Sequence, residues 1–192
     1  DKKRYEFNYF IDNGWMPSYG FRSRYNRFNT SFLSFEDPLI SRINIKYIDF
    51  TNAFFVQSTV ARRFAFGLGV EKKKIKISTE TFSTQGEEEL IDNSNYLNLF
   101  SFLKLDTYNK KMFPTDGYFA NIGFKWFVWS DRNDRLDDFV SGGGAYNQFS
   151  QLTGSFGFAK TFFDRLTLQY TSDAGYTLGD LSSELFDYRL GG

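Results

Sequence analysis

Apolar and polar residues alternate along much of this chain, and this pattern constrains its fold more than any other feature. The clearest example begins at Tyr118, where the apolar residues Ala120, Ile122, Phe124, Trp126 and Val128 are separated by Asn121, Gly123 and Lys125. A β-strand directs successive side chains to opposite faces of its sheet. The pattern therefore predicts an all-β protein whose strands have one apolar face and one polar face.

Nine segments with this two-residue period are predicted to be antiparallel strands. They are Tyr5 to Ile11, Ser18 to Phe28, Ser41 to Phe50, Phe54 to Arg63, Phe66 to Ile77, Tyr96 to Asp106, Gly117 to Trp129, Gln148 to Lys160 and Arg165 to Tyr176. Strands of globular proteins average about 5 to 6 residues, whereas tilted strands that cross a bilayer need about 9 to 11. The length of several segments therefore favours strands that span a membrane.

The predicted connections are of two kinds. Tight turns are expected at Arg63 to Ala65 and Thr161 to Asp164, a short connection at Thr51 to Ala53, and long polar loops at Thr79 to Asn95 and Ser130 to Asn147. Outer-membrane barrels have short periplasmic turns and longer external loops. The connections match this asymmetry except at Thr51 to Ala53, where a long loop would be expected.

Composition narrows the class of protein. Aromatic residues make up 21% of the chain, yet only 41% is hydrophobic, and no apolar run approaches the roughly 20 residues of a spanning helix. The net charge of +0 gives no reason to expect nucleic acid as a partner. The chain has no Cys and no His, which excludes disulfides, thiolate or histidine metal sites and a Ser-His-Asp triad within it.

The alternation assigns polar side chains to the inside of a transmembrane barrel. The residues predicted to face the lumen include Arg22, Arg24, Arg42, Lys46, Glu71, Lys104, Lys125 and Asp173. The cations among these residues could line a conduit for an anionic or unfolded substrate. They could instead pair with Glu71, Asp106 and Asp173 and so stiffen a filled lumen, which is the interpretation that we favour. The alternative is a soluble β-sandwich, in which the apolar residues form the core and the polar residues the surface.

Two motifs resemble those of a known family. The first is Asp106 followed by Phe113-Pro114-Thr115-Asp116-Gly117, between two patterned strands, and the second is Leu190-Gly191-Gly192. The first resembles the signature that joins two mid-barrel strands in the surface-antigen superfamily of BamA, TamA and the two-partner secretion transporters. The second resembles the segment that leads into that superfamily's lumenal loop. In the first motif, Pro114 fixes φ and Gly117 allows a backbone conformation that other residues avoid.

The resemblance implies a fold, a location and a class of function. Residues 1–192 are expected to form one partial domain, about nine strands of a probable sixteen-stranded antiparallel transmembrane barrel in the Gram-negative outer membrane. The domain is expected to act as a translocation pore, an assembly platform or a membrane anchor, without cofactors. Outer-membrane lipid and lipopolysaccharide are its expected surroundings, and other outer-membrane or periplasmic proteins its candidate partners.

Two further segments suggest a subgroup. Residues 43–52 and 103–108 are most similar to barrels attached to patatin-like phospholipases. The patatin nucleophile motif Gly-x-Ser-x-Gly does not occur in this chain, so no catalysis is expected in the segment itself, although its parent protein would be a lipid hydrolase. The alternatives are an assembly factor that inserts other barrels and, from a different class, a soluble aromatic-rich binding module.

Overall fold

The part of the chain that the structure describes contains eight strands. The computed structural model describes residues 2–14, 17–36, 39–81, 88–131, 148–163 and 165–179. The strands are β1 (Lys2–Ile11), β2 (Ser18–Glu36), β3 (Leu39–Val60), β4 (Phe64–Thr81), β5 (Glu88–Asp106), β6 (Asp116–Ser130), β7 (Phe149–Phe162) and β8 (Leu166–Leu178). No helix among these residues is long and apolar enough to cross a membrane.

The strands form one antiparallel sheet in which each pairs with the next along the chain. The order is β1 to β8, so β1 and β8 each have one edge without a partner among the described strands. When register partners are followed from strand to strand, Ile11, the last residue of β1, leads to Tyr176, which is close to the last residue of β8. In an antiparallel sheet of eight strands without stagger, the end of β1 would instead be level with the start of β8. Such a stagger is required of tilted strands in a barrel. The all-β prediction and the partial antiparallel barrel are confirmed.

Two of the nine predicted strands form a single strand, because β3 is continuous from Leu39 to Val60. Thr51 to Ala53, predicted to be a connection, lies in its middle and pairs with residues of both β2 and β4. The apolar residues change from odd to even positions between Tyr47 and Phe54. A change of parity resembles a strand break in a sequence, but here a single strand changes the polarity of its two faces.

The predicted long loop from Thr79 to Asn95 is also largely wrong. Strand β4 continues to Thr81, and β5 begins at Glu88. The Glu, Asn and Ser residues there lack the apolar alternation from which strands were predicted. The tight turns are confirmed within two residues, at 61–63 and 163–165. In the loop predicted from Ser130 to Asn147, Ser130 belongs to β6 and Asp131 follows it, while residues 132–147 lie outside the described residues.

The two ends of the sheet have different connections. Residues 12–17, 61–63, 107–115 and 163–165 join strands at one end, which we call the turn end. Residues 37–38, 82–87 and 131–148 lie between strands at the other end, the loop end. The longest connection, residues 131–148, is at the loop end. This arrangement is typical of an outer-membrane barrel whose loop end faces outward.

The two faces of the sheet differ in accessibility. We call the face with Phe66, Leu68 and Val70 the exposed face, and the face with Gly67, Gly69 and Glu71 the shielded face. On the exposed face Ile122, Phe124 and Leu168 are 48%, 38% and 53% exposed. No second layer covers the shielded face among the described residues, so its burial requires curvature of the sheet towards that side. A soluble sandwich would bury the apolar face, and this alternative is therefore wrong.

Near the loop end both faces reverse their polarity. Along β4 the exposed face changes from Leu68 and Val70 to Lys72, Lys74 and Lys76, which are all exposed. The shielded face there carries a buried apolar cluster of Ile75, Ile77, Tyr96, Phe127 and Phe149, against which Ile45 and Tyr47 pack. Apolar side chains inside and charged ones outside are the pattern of a protein in water. The loop-end part of β2 to β5 therefore extends beyond the apolar band.

Aromatic rings on the shielded face lie over glycines of neighbouring strands. An added Cβ at Gly20 would lie 2.6 Å from Cε2 of Phe55, and one at Gly69 would lie 2.6 Å from Cζ of Phe100. Gly67 and Phe102 form a third such pair across β4 and β5. Each ring occupies the space that a Cβ would need. Glycine in a strand often marks such a close approach.

The pair of Gly20 and Phe55 can be tested by a double-mutant cycle. We expect Gly20→Ala to destabilise the folded barrel by about 1 to 3 kcal/mol, because the new methyl group overpacks the ring. Phe55→Leu removes the ring atoms that the methyl group would meet, so the double variant should be more stable than the sum of the single changes predicts. Urea unfolding in lipid vesicles measures both effects, and strict additivity would contradict this account of the pair.

Candidate functional site

A buried carboxylate organises the middle of the shielded face. Glu71 on β4 accepts a hydrogen bond of 2.9 Å from Nδ2 of Asn98, its register partner on β5. Nζ of Lys125, on β6, lies 2.7 Å from the same carboxylate oxygen. The Lys125 side chain reaches across β5 to make this contact, so three consecutive strands are joined at one point. The Glu71 side chain is 11% exposed and that of Lys125 is 32% exposed.

A second ionic contact lies on the same face, closer to the loop end. Nζ of Lys73 lies 3.3 Å from Oδ2 of Asp49, and the hydroxyl of Thr51 donates a hydrogen bond of 2.7 Å to the other carboxylate oxygen of Asp49. Asp49 and Thr51 belong to β3 and Lys73 to β4. This contact connects the polar middle of the shielded face with the apolar cluster, where Ile75 is the register partner of Asp49.

Two further cations of this face lie over aromatic rings. The guanidinium carbon of Arg22 is 5.9 Å from the centroid of the Phe55 ring, and Nζ of Lys104 is 5.1 Å from that of Phe102. Both distances are within the range of a cation–π interaction. The same rings that cover glycines thus also stabilise two cations of this face.

These side chains line an open cavity of about 450 Å³ on the shielded face. Its charged residues are Arg22, Arg24, Glu71, Lys104 and Lys125. Four cations and one carboxylate give the cavity a positive potential, although Lys125 is paired. No group of His, Cys, Asp and Glu among the described residues could hold a metal ion.

The turn between β5 and β6 is held by hydrogen bonds from its polar side chains. Asp106 accepts one of 3.0 Å from the backbone N–H of Tyr108. The Thr107 hydroxyl donates to the carbonyl of Tyr118 and accepts from its N–H, both at 2.9 Å. Asn109 accepts from the N–H groups of Thr115 and Asp116 at 3.1 and 3.2 Å. The turn is therefore held by hydrogen bonds from side chains within it.

Each residue of the Phe-Pro-Thr-x-Gly motif has a distinct place in this turn. Phe113 has a φ of 52° and is 82% exposed. The carbonyl of Pro114 accepts a hydrogen bond of 2.8 Å from Gln169, and that of Thr115 accepts one of 3.0 Å from Thr161. Gly117 has a φ of 109°, close to the Thr107 carbonyl. The motif thus connects β5 and β6 with β7 and β8.

The ring of Tyr108 also belongs to this turn. It lies 5.5 Å from the ring of Phe119 in an edge-to-face arrangement. Loss of solvent around the phenol and the nearby Asp106 carboxylate both raise the pKa of Tyr108. The phenol therefore remains neutral at physiological pH.

Comparison with known proteins identifies the family. The family model described as the OMP85 superfamily matches residues 1–192, the whole chain. The chain belongs to the OMP85 superfamily. It is therefore part of an outer-membrane β-barrel protein of translocation or assembly, in a Gram-negative bacterium or an organelle. No curated protein and no solved structure matches it.

The predicted lumen residues of this OMP85 chain divide into two groups. Strand alternation places Arg22, Arg24, Glu71, Lys104, Lys125 and Asp173 together on the shielded face. Of the acidic residues expected to pair with the cations, Glu71 does so, whereas Asp106 caps its own turn. That the shielded face encloses a lumen remains a prediction.

Lys46 does not share that face, whereas the side chain of Arg42 lies outside the described residues and its place stays a prediction. Lys46 is in register with Ser78, whereas the alternate position, Tyr47, is in register with Ile77 of the buried cluster. The reason is the polarity reversal along β3. Of the motif residues, Leu190, Gly191 and Gly192 lie outside the described residues.

Several residues of the site were not predicted. Asp49 falls in the half of β3 whose faces were inverted, so its pairing with Lys73 was not anticipated. The roles of Thr107 and Asn109 depend on side-chain hydrogen bonds across the turn. Asn and Thr between two patterned strands are a general turn signal, and this signal could have drawn attention to both.

Proposed function

We propose that the shielded face lines the lumen of a closed outer-membrane barrel in a Gram-negative bacterium. The observation that supports this is a single layer of staggered strands with its large apolar side chains exposed and its ion pairs on the opposite face. The edges of β1 and β8 that have no partner among the described strands would leave backbone groups unsatisfied in lipid, at several kcal/mol each. Further strands are therefore required to close the barrel.

Within this barrel we assign the polar residues of the shielded face mainly to stiffening the wall. Lys73 and Lys125 are paired with carboxylates, and Arg22 and Lys104 lie over aromatic rings. A conduit that attracts anions would instead keep its cations accessible to the substrate. The pairing supports a membrane anchor over a pore selective for anions.

The anchor role agrees with the barrel of a patatin-like phospholipase, which is the subgroup we propose. Its support is the similarity of residues 43–52 and 103–108 to such barrels. An assembly factor that inserts other barrels is the second candidate, because the motif that ends at Gly117 resembles those of such factors equally well. In the first case the barrel would hold a lipid hydrolase at the membrane. In the second it would help the strands of other barrels to insert into the membrane.

The full-length protein, isolated from its native outer membrane, distinguishes the two candidates. We expect a fluorophosphonate probe to label a serine outside this segment and the protein to release fatty acid from phosphatidylethanolamine vesicles. A barrel that lacks both activities, and whose depletion reduces the amount of other outer-membrane barrels, would be an assembly factor. Recovery of the protein in a soluble fraction without detergent would contradict the membrane assignment itself.

A further inference from the structure

Exposed lysines form a row on the outside of the sheet, directly beyond its apolar band. Lys72, Lys74 and Lys76 alternate along β4 on the exposed face, so they span about 13 Å between the first and last Cα. Arg27 of β2 is level with Lys76 across the sheet, because both are register partners of Ile48 on β3. None of these four cations makes an ion pair with a residue that the structure describes. We call them the cation row.

The position of this row relative to the membrane follows from the polarity of both faces. Val70, the next exposed-face residue towards the turn end, is apolar. It is level with Trp126 across the sheet, as successive register partners show. Lys72 is the register partner of Leu97, which in turn is the register partner of Trp129. Tryptophan is enriched at the boundary between lipid and water. The lysines therefore begin where the apolar band ends and the headgroups of the membrane are expected.

The leaflet follows from the ends of the sheet. The cation row is at the loop end, where residues 131–148 form the longest connection between strands, and external loops are the longer ones in outer-membrane barrels. The row thus meets the outer leaflet, whose lipid in Gram-negative bacteria is lipopolysaccharide. A line of several cations suits a lipid with several phosphates better than one with a single phosphate, because each additional ammonium can contact another phosphate.

We propose that the cation row binds the phosphate groups of lipopolysaccharide and so holds this part of the barrel wall in the outer leaflet. Lys72, Lys74 and Lys76 would contact the phosphates, and Arg27 would extend the site across β3. The proposal rests on the outer-membrane location in the proposed function, and not on the choice between anchor and assembly factor. It assigns a lipid site to the outside of the barrel, separate from the ion pairs of the shielded face.

Titration of the full-length protein in detergent micelles with purified lipopolysaccharide tests the row. We expect the K72Q/K74Q/K76Q variant to bind about tenfold more weakly than wild type, or weaker still, at about 150 mM salt. The K72R/K74R/K76R variant keeps the charges and should bind like wild type. The matched control R62Q/K110Q/K111Q removes three exposed cations from the turn end and should not change binding. Dephosphorylated lipopolysaccharide should bind wild type as weakly as the glutamine variant does.

Three results would overturn the proposal. They are equal affinity of wild type and the glutamine variant, equal affinity for dephosphorylated lipopolysaccharide, and equally tight binding of phosphatidylglycerol vesicles, which would indicate general attraction to anionic lipid. If the triple variant does not fold, as judged by its shift on unheated gels, K74Q/K76Q replaces it with the same expectation. Density fractionation of cells tests the outer-membrane location separately, so its failure is distinguishable from failure of the row.

Discussion

Replacing Glu71 by Ala is expected to destabilise the folded barrel by about 2 to 3 kcal/mol. The variant leaves the Lys125 ammonium and the Asn98 amide without the carboxylate that both contact. Removing one partner of a fully buried ion pair costs about 3 to 5 kcal/mol. Because the Lys125 side chain retains 32% exposure, water compensates part of this loss. The free energy of unfolding by urea in lipid vesicles, followed by tryptophan fluorescence, measures the effect.

The chain offers a matched control for this variant. Asp116 and Lys160 form an ion pair with the same 2.7 Å separation, but their side chains are 60% and 59% exposed. Asp116→Ala should therefore change the stability by less than about 1 kcal/mol. The double variant Glu71→Met/Lys125→Met, which leaves no unpaired charge, should be more stable than Glu71→Ala. Equal effects of Glu71→Ala and Asp116→Ala would show that burial does not strengthen the pair.

Alternation predicts the faces of a strand where its polarity is constant. On β6 the expected apolar positions, such as Ile122 and Phe124, are on the exposed face, and Lys125 is on the other. On β3 the same rule predicted two strands and inverted the faces of the first. The rule reports which residues are apolar, and it cannot tell whether apolar side chains meet lipid or pack inside a part of the sheet that lies in water. Lys46 was misplaced for this reason.

The partners within the site depend on register, which the sequence pattern does not determine. Glu71 and Lys125 are 54 residues apart and on strands that are not neighbours. Their contact follows from the register of β4, β5 and β6, in which Glu71 pairs with Asn98 and Lys125 with Phe100. A single-residue slip would move every side chain of a strand to the opposite face. Glu71 could therefore be predicted as a polar-face residue, but not as the partner of Lys125.

Substitution of Gly117 by Ala is expected to have the other large effect, about 2 to 4 kcal/mol of destabilisation. Gly117 has a φ of 109°, a conformation that costs a residue with a Cβ about 1 to 3 kcal/mol. The added Cβ would also lie 2.5 Å from the carbonyl oxygen of Thr107. That oxygen belongs to the backbone, and Thr107 is tied to Tyr118 by three hydrogen bonds. The turn therefore cannot relieve the contact by rotating a side chain.

Gly154 provides the control, because it lies in β7, where the nearest atom to an added Cβ is the Asn121 carbonyl oxygen at 3.9 Å. We expect Gly154→Ala to change the free energy of unfolding by less than about 1 kcal/mol, in either direction. The two variants differ in backbone strain and contact, while each adds one methyl group. If they unfold at the same urea concentration, the motif glycine is not required for its conformation. A large loss for Gly117→Ala alone would assign its role to the geometry of the turn between β5 and β6, since neither substitution removes a polar group.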